Sequence, residues 1–248
     1  MQENILGVDI GGTGIKGAIV SIPTGELLTE RHRLSTPQPP TPEAVAKVFA
    51  ELVSHFDYDG PIGVGFPAII KNGAAMSASN IDRNWIGKHV AELLGTSCGH
   101  PAYVLNDADA AGIAEMQFGE GQGRKGLTMM ITIGSGLGSS LFLDGKLLPN
   151  TEFGHVVMHG DIAERYASNR TRKDKDLSWT EWGKRFNEYL QHIYMLLSPD
   201  TIILSGGASK KFAKYENLID LPIPVVPARL LNNAGTVGAA LYAAQRGE

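Results

Sequence analysis

The sequence predicts an α/β fold with mixed sheets, built as two related lobes, and three observations carry that prediction. The stretch ILGVDIGGTGIKGAIV, residues 5–20, sets a glycine-rich turn between two apolar segments rich in β-branched residues. MITIGSGLGSSLFL, residues 130–143, repeats the device, and placing Asp9-Ile10-Gly11 against Thr132-Ile133-Gly134 brings the flanking segments into register. Segments of helical spacing alternate with short apolar runs through the rest of the chain. A chain of 248 residues with 43% hydrophobic content can bury one large core or two modest ones, and the repeat favours two. The expected division is a smaller lobe over 1–107, with a helix of about 235–248 packing back on it, and a larger lobe over 108–234.

The elements follow in order. GTGIKG fits the G-x-G-x-x-G pattern, but a dinucleotide turn must lead into a helix whose amino terminus faces the pyrophosphate. Here AIVSI follows, a second extended segment, then a turn at Pro23-Thr24-Gly25, then LLTERHRL as a third extended segment. No acidic residue waits about 20 positions on to bind a ribose, and no G-K-[ST] completes a Walker pattern, so the glycines join two strands. TPEAVAKVFAELVSHF reads as a helix with Thr41 as N-cap, Pro42 in the first helical position and one apolar face. PIGVGFPAI reads as strand and loop, YVL at 103–105 as a buried strand, and NDADAAGIAEMQFG as a strand end entering a helix. Asp144-Gly145 signals a hairpin. Residues 178–197 open with a Ser178 to Glu181 capping box and carry Trp182, Phe186, Leu190, Ile193 and Leu197 at helical spacing, a core stripe. TIILSGGAS is a strand feeding a glycine turn and helix, and AGTVGAALYAAQ is a small-residue helix.

Composition narrows the function. A formal charge of −4 gives no global basic field, so neither nucleic acid nor an anionic membrane is an expected partner. The single cysteine, Cys98, excludes an intramolecular disulfide and fits packing in a reducing cytoplasm. No secretory signal pattern opens the chain and no apolar run reaches the roughly 18 residues of a membrane span, so a soluble cytoplasmic protein is expected.

Glycine hairpins suit phosphate, because backbone N–H groups approach an anion without a Cβ in the way. Asp9, at the end of the first strand, suits Mg²⁺ or its water shell better than the anion itself, which it would repel. The plain alternative is a tight turn with a solvated aspartate. Two such hairpins facing each other across a cleft would enclose a phosphoryl group from both sides. Asn106-Asp107 sits where a strand stops and a helix begins, so its carboxylate projects beyond the strand end and is favoured in ionised form. Such a group can take the proton of a sugar hydroxyl attacking phosphorus, with Asn106 orienting the sugar. Plain N-capping is the competing role for the pair. Asp109 is a weaker candidate, for which capping or surface exposure is expected.

The order DIGGTGIKG, LNDADAAG, TIGSGLGSS, NTEFGH and LSGGAS resembles that of the ROK family of sugar kinases over nearly the whole chain. TPQPPTP, SNIDRNWIG, LLPNTEFGH and PVVPARLLNNAGTVGAA more narrowly resemble its polyphosphate glucokinase branch. The resemblance implies two actin-like, ribonuclease H-like lobes with the active site in the cleft between them, and a homodimer. It also implies phosphoryl transfer to the 6-hydroxyl of glucose with Mg²⁺. By position it makes Asp107 the general base and Asn106 a sugar ligand. It places Asp9, Gly11, Gly12, Thr13, Gly14 and Lys16 in the first phosphate motif, and Thr132, Gly134, Ser135 and Gly136 in the second. Gly206 and Gly207 match the turn that receives adenosine in ATP-using relatives. Glu152 and His155 match residues near sugar hydroxyls, Glu164 is a weaker hydroxyl ligand, and Asn80 a sugar contact from the other lobe.

One departure stands out. Most ROK proteins carry a cysteine-rich zinc motif after this histidine, whereas HVVMHGDIAERYAS has no cysteine, and His155 with His159 alone makes a poor zinc site, so no zinc is expected. The polyphosphate branch shares that absence. A polyphosphate donor wants a basic track, with Arg124, Lys125, Arg165, Arg170, Arg172, Lys173, Lys175, Lys210 and Lys211 as candidates and solvated loops as the plain alternative. ATP, alone or alongside polyphosphate, stays open as donor, and mannose as second acceptor. A sugar-responsive repressor would carry a DNA-binding module ahead of the first glycine motif, where only eight residues precede Asp9. A silent sensor would be expected to lose the base.

Overall fold

The computed structural model describes residues 3–79 and 81–246, and the chain divides into two compact units, Met1–Ala114 with Asn233–Glu248, and Glu115–Asn232. In the first unit β1 (Asn4–Gly11) and β2 (Gly14–Ser21) pair antiparallel across Gly12-Thr13, so the glycine turn closes a hairpin. β3 (His32–Leu34) pairs with β2 and is shorter than the extended segment expected over 27–34. The reason is local: the Thr29 hydroxyl accepts from the Ile19 amide at 3.1 Å, taking a ladder donor, and only an isolated bridge joins Leu27 to Val20.

α1 (Pro42–Ser54) starts as its capping signal requires, with Thr41 accepting from the Ala44 amide at 3.3 Å, and it buries Val45, Phe49, Leu52 and Val53. Next come β4 (Ile62–Phe66), a small ribbon of β5 (Ile70–Lys71) and β6 (Ala74–Ala75), α2 (Val90–Cys98), β7 (Ala102–Asn106) and α3 (Asp107–Phe118). The sheet runs β3-β2-β1-β4-β7, with β1, β4 and β7 parallel. Leu6, Val8, Ile10 and Ile15 of the hairpin join Phe49, Phe66 and Trp85 in its core, against which the free thiol Cys98 packs.

The second unit repeats this plan. β8 (Leu127–Ile133) and β9 (Leu137–Leu143) form an antiparallel hairpin, and β10 (Lys146–Leu148) joins β9 through Asp144-Gly145, whose φ angles of 50° and 80° are those a type I′ turn demands. A ribbon of β11 (Val157–Met158) and β12 (Asp161–Ile162) precedes α4 (Glu164–Ala167), α5 (Asn169–Asp174) and α6 (Trp179–Leu197). β13 (Thr201–Ser205) and β14 (Val225–Pro227) complete the order β10-β9-β8-β13-β14, with β8, β13 and β14 parallel. The reciprocal Ser178–Glu181 capping box opens α6, and Trp182, Phe186, Leu190 and Ile193 are buried as a core stripe.

α7 (Ala234–Arg246) belongs to the first unit and lies on β1 and β4. A methyl group at Gly7 or Gly63 would overlap the backbone of Thr236 or Ala239, so small residues on both partners let helix and sheet meet backbone to backbone. Among the described residues, no helix is long and apolar enough to cross a membrane.

Candidate active site

Pairing places the candidate groups of the first unit on one edge. Asp9 is level with Gly65 of β4, and Phe66 with Asn106 of β7, so Asp9, the 11–14 hairpin and Asn106-Asp107 all lie at the carboxyl ends of parallel strands. The carbonyls of the turn are held elsewhere. Those of Gly11, Gly12 and Thr13 accept from Thr36 at 2.5 Å, Gln38 at 3.4 Å and Arg33 at 2.7 Å. Three successive carbonyls are thereby engaged by side-chain donors, which offsets the repulsion their oxygens would exert on an anion at the turn's amides.

Asp9 Oδ2 pairs with Lys16 Nζ at 3.1 Å, and Oδ1 has no partner among the described residues. Gly235 brings the first turn of α7 against this carboxylate, since a Cβ there would lie 3.1 Å from Asp9 Cγ. No local signal marks Gly235 as a site residue. Among the described residues no group of three or more His, Cys, Asp or Glu side chains could hold a metal ion by itself. A single carboxylate with one open oxygen does fit magnesium, which keeps several waters and takes one or two carboxylates plus substrate phosphates.

At the start of α3 both residues meet helix amides, Asn106 more fully. Asn106 Oδ1 accepts from the amides of Ala108 at 2.9 Å and Asp109 at 3.1 Å, and its Nδ2 donates to the Ala68 carbonyl at 3.1 Å. Asn106, which is buried, thus caps the helix through two of its amides. Asp107, the first helical residue, is only partly buried; its Oδ1 meets the Ala108 amide at 2.9 Å. Of the two roles expected of Asp109, capping or surface exposure, exposure is excluded: the residue is 1% exposed, because the helix turns its third residue inward. Asn80 lies outside the described residues.

In the second unit Thr132 pairs with Ser205, which puts the 134–136 turn and Gly206-Gly207 on one carboxyl edge as well. The Gly134 amide donates to the Gly136 carbonyl at 3.0 Å, and the Gly134 carbonyl accepts from the Arg170 amide at 3.2 Å. Gly206 adopts a φ of 83°, and a Cβ there would collide with the Ile133 backbone, so two independent constraints require glycine. Ser135 is exposed at the tip.

Glu152, His155 and Glu164 converge in the same unit. His155 Nδ1 lies 3.8 Å from Glu152 and its Nε2 3.9 Å from Glu164, while Glu164 also accepts from the Leu137 amide at 3.4 Å. Burial raises the Glu152 carboxyl above the ordinary glutamate range; His155 opposes that shift and Glu164 adds to it. The loop bearing them is latched by Ser139, whose hydroxyl donates to the Thr151 carbonyl at 2.7 Å and accepts from the Phe153 amide at 3.0 Å. Gly154 lets it close, since a Cβ there would overlap the Leu137 carbonyl. Carboxylates flanking an imidazole offer acceptors and a donor to adjacent hydroxyls. His159 turns elsewhere, to Glu188 at 2.7 Å.

The basic candidates divide. Arg124 bonds the Glu120 carbonyl and Thr201, Arg165 pairs with Asp161, and Arg172 lies over the Trp179 ring at 4.3 Å. Lys125, Arg170, Lys173, Lys175, Lys210 and Lys211 are exposed; the Arg170 backbone adjoins Gly134, and Lys210 and Lys211 follow the Gly206-Gly207 turn.

The ROK family signature matches residues 5–171 of this chain. The chain belongs to the ROK family. Within it, the chain is 43% identical over 241 residues to the polyphosphate glucokinase of Mycobacterium tuberculosis strain H37Rv, covering 97% of this chain and 91% of that one. Among solved ROK-like structures, the inorganic polyphosphate/ATP-glucomannokinase of Arthrobacter sp. strain KM superposes with a TM-score of 0.96 at 44% identity, covering 99% of this chain and 100% of that one. A ROK family glucokinase from Streptomyces griseus, in complex with glucose and AMPPNP, gives a TM-score of 0.84 at 25% identity, covering 98% and 99%. The mixed α/β units seen here are those of the two-lobe, actin-like ROK sugar kinase fold.

Proposed function

We propose that this ROK protein transfers a phosphoryl group from inorganic polyphosphate, with ATP as a second donor, to the 6-hydroxyl of glucose. The observation that carries the reading is a partly buried carboxylate, Asp107, on the same strand edge as a glycine hairpin whose carbonyls are engaged away from its amides. The likeness to polyphosphate glucokinase supports the choice of donor and acceptor.

In this reading Asp107 takes the hydroxyl proton as the sugar oxygen attacks phosphorus, and the α3 amino terminus keeps it ionised beforehand. Asn106 fixes its position by capping the helix and touches the sugar with what remains of its amide. Glu152, His155, Glu164 and Asn80 hold the other hydroxyls, so that the attacking oxygen is oriented before reaction. Amides of the 11–14 and 134–136 turns, with Lys16, meet the charge that spreads over the equatorial oxygens in the transition state. Magnesium, held by Asp9 through its water shell, would neutralise part of the donor's phosphate charge. Gly206 and Gly207 serve the nucleoside end of ATP, and Arg170, Lys210 and Lys211 the extended polyanion. The reading includes a cytoplasmic setting, in keeping with the lone free cysteine, and a homodimer, as the family resemblance implies.

The test is to mix purified protein, glucose and Mg²⁺ with polyphosphate or ATP and measure glucose 6-phosphate. Product with polyphosphate is expected. Product with ATP alone would retract the polyphosphate assignment, and product with neither would retract the kinase.

A further inference from the structure

Arg33 stands on the first glycine hairpin with most of its hydrogen-bonding capacity unclaimed. It lies on β3 directly opposite Lys16 of β2, which lies opposite Asp9 of β1, so one cross-strand row carries two cations against one carboxylate. Asp9 is engaged by Lys16, and among the described residues no carboxylate pairs with Arg33. One guanidinium nitrogen, Nη2, donates to the Thr13 carbonyl at 2.7 Å, which anchors the head on the turn. Gly14 makes room for it, because a Cβ there would lie 2.6–2.8 Å from the guanidinium atoms. A guanidinium has five N–H donors in a fixed fork suited to phosphate oxygens, and a single carbonyl takes one or two of them. Like charges placed opposite each other on a strand pair are unfavourable; Asp9 offsets the Lys16 charge and leaves the row one positive charge in excess, at Arg33.

We infer that Arg33 is a donor-binding residue, a guanidinium that grips a phosphate of the incoming polyphosphate or nucleoside triphosphate chain while fixed to the hairpin by Thr13. The inference rests on the kinase reading above and extends it to a residue on the edge strand.

The experiment compares wild type with Arg33→Gln, Arg33→Lys and Gly14→Ala, measuring KM for polyphosphate, KM for ATP, KM for glucose and the melting temperature. Arg33→Gln should raise the donor KM about tenfold or more, the worth of a charge-assisted hydrogen bond, with glucose KM within about twofold. Arg33→Lys should fall between, since a point charge replaces the fork. Gly14→Ala should push the guanidinium off the turn and raise the donor KM while the melting temperature stays near wild type, because the atom displaced ends a flexible side chain. A rise confined to one donor assigns the contact to that donor's chain. Unchanged donor KM in Arg33→Gln, or donor and glucose KM rising together with a lowered melting temperature, would overturn the assignment. Calorimetric titration with polyphosphate alone separates the two readings: if wild type makes no glucose 6-phosphate the kinase fails, whereas weaker polyphosphate binding by Arg33→Gln would still uphold Arg33, and equal binding would overturn it.

Discussion

The two units share a strand order and a glycine hairpin, yet the hairpins differ in charge and in what holds them. In the first, Gly11 pairs with Gly14 around a two-residue turn; in the second, Ile133 pairs with Leu137 around a three-residue turn. The extra residue shifts the outgoing strand, so that the Asp9–Lys16 pair corresponds to Thr132–Gly138. Side chains 33, 36 and 38 hold the first turn by its carbonyls, whereas backbone amides of Ala208 and Arg170 hold the carbonyls of Ile133 and Gly134. One scaffold thus yields a charged turn suited to a cation and its phosphates, and a neutral one offering amides. The lesson is that strand topology repeats because local propensity repeats, while charge is set position by position.

The largest test of that division is Asp107→Asn, which removes the proposed base but keeps a side chain that can cap. Turnover should fall by roughly 10² to 10⁴ while glucose binding, followed by calorimetry, persists; near-normal turnover would reassign Asp107 to helix capping. Next is packing. Gly63→Ala should destabilise the first unit by about 3 kcal/mol in chemical denaturation, since its methyl meets the Ala239 backbone and α7 must shift.

A smaller effect is expected at Glu152. Its carboxyl is raised by burial, so the folded state holds a proton that the unfolded chain has lost, and stability must fall as pH rises from the ordinary glutamate value through the raised one. Melting curves of wild type and Glu152→Gln should therefore converge on acidification through that window and separate above it, with the variant the more stable; parallel curves would deny the burial. The smallest effect is at Gly134, where a Cβ meets nothing within 4 Å: Gly134→Ala should change stability by no more than about 0.5 kcal/mol, against the large loss at Gly63.

Much of this was legible in the chain. Thr41-Pro42, the Ser178–Glu181 box and Asp144-Gly145 are local signals, each needing only a cap, a proline or a positive φ within a few residues, and each stands where the sequence put it. The repeated glycine hairpins were legible for the same reason. Thr29 breaking the third strand was not, since its hydroxyl competes for an amide ten residues away.

The sequence by itself determined the α/β alternation, the two hairpins and the strand-to-helix junction at Asp107, because propensity, capping and turn geometry act over a few residues. Only the tertiary structure decided that Asn106 is buried and caps two amides of α3 while Asp107 is partly buried, that Gly235 meets Asp9, that Ser139 latches the Glu152 loop, and that Arg33 rests on Gly14. Those contacts join segments distant in the chain, and their geometry follows from strand register and helix docking, which arise when the whole core closes.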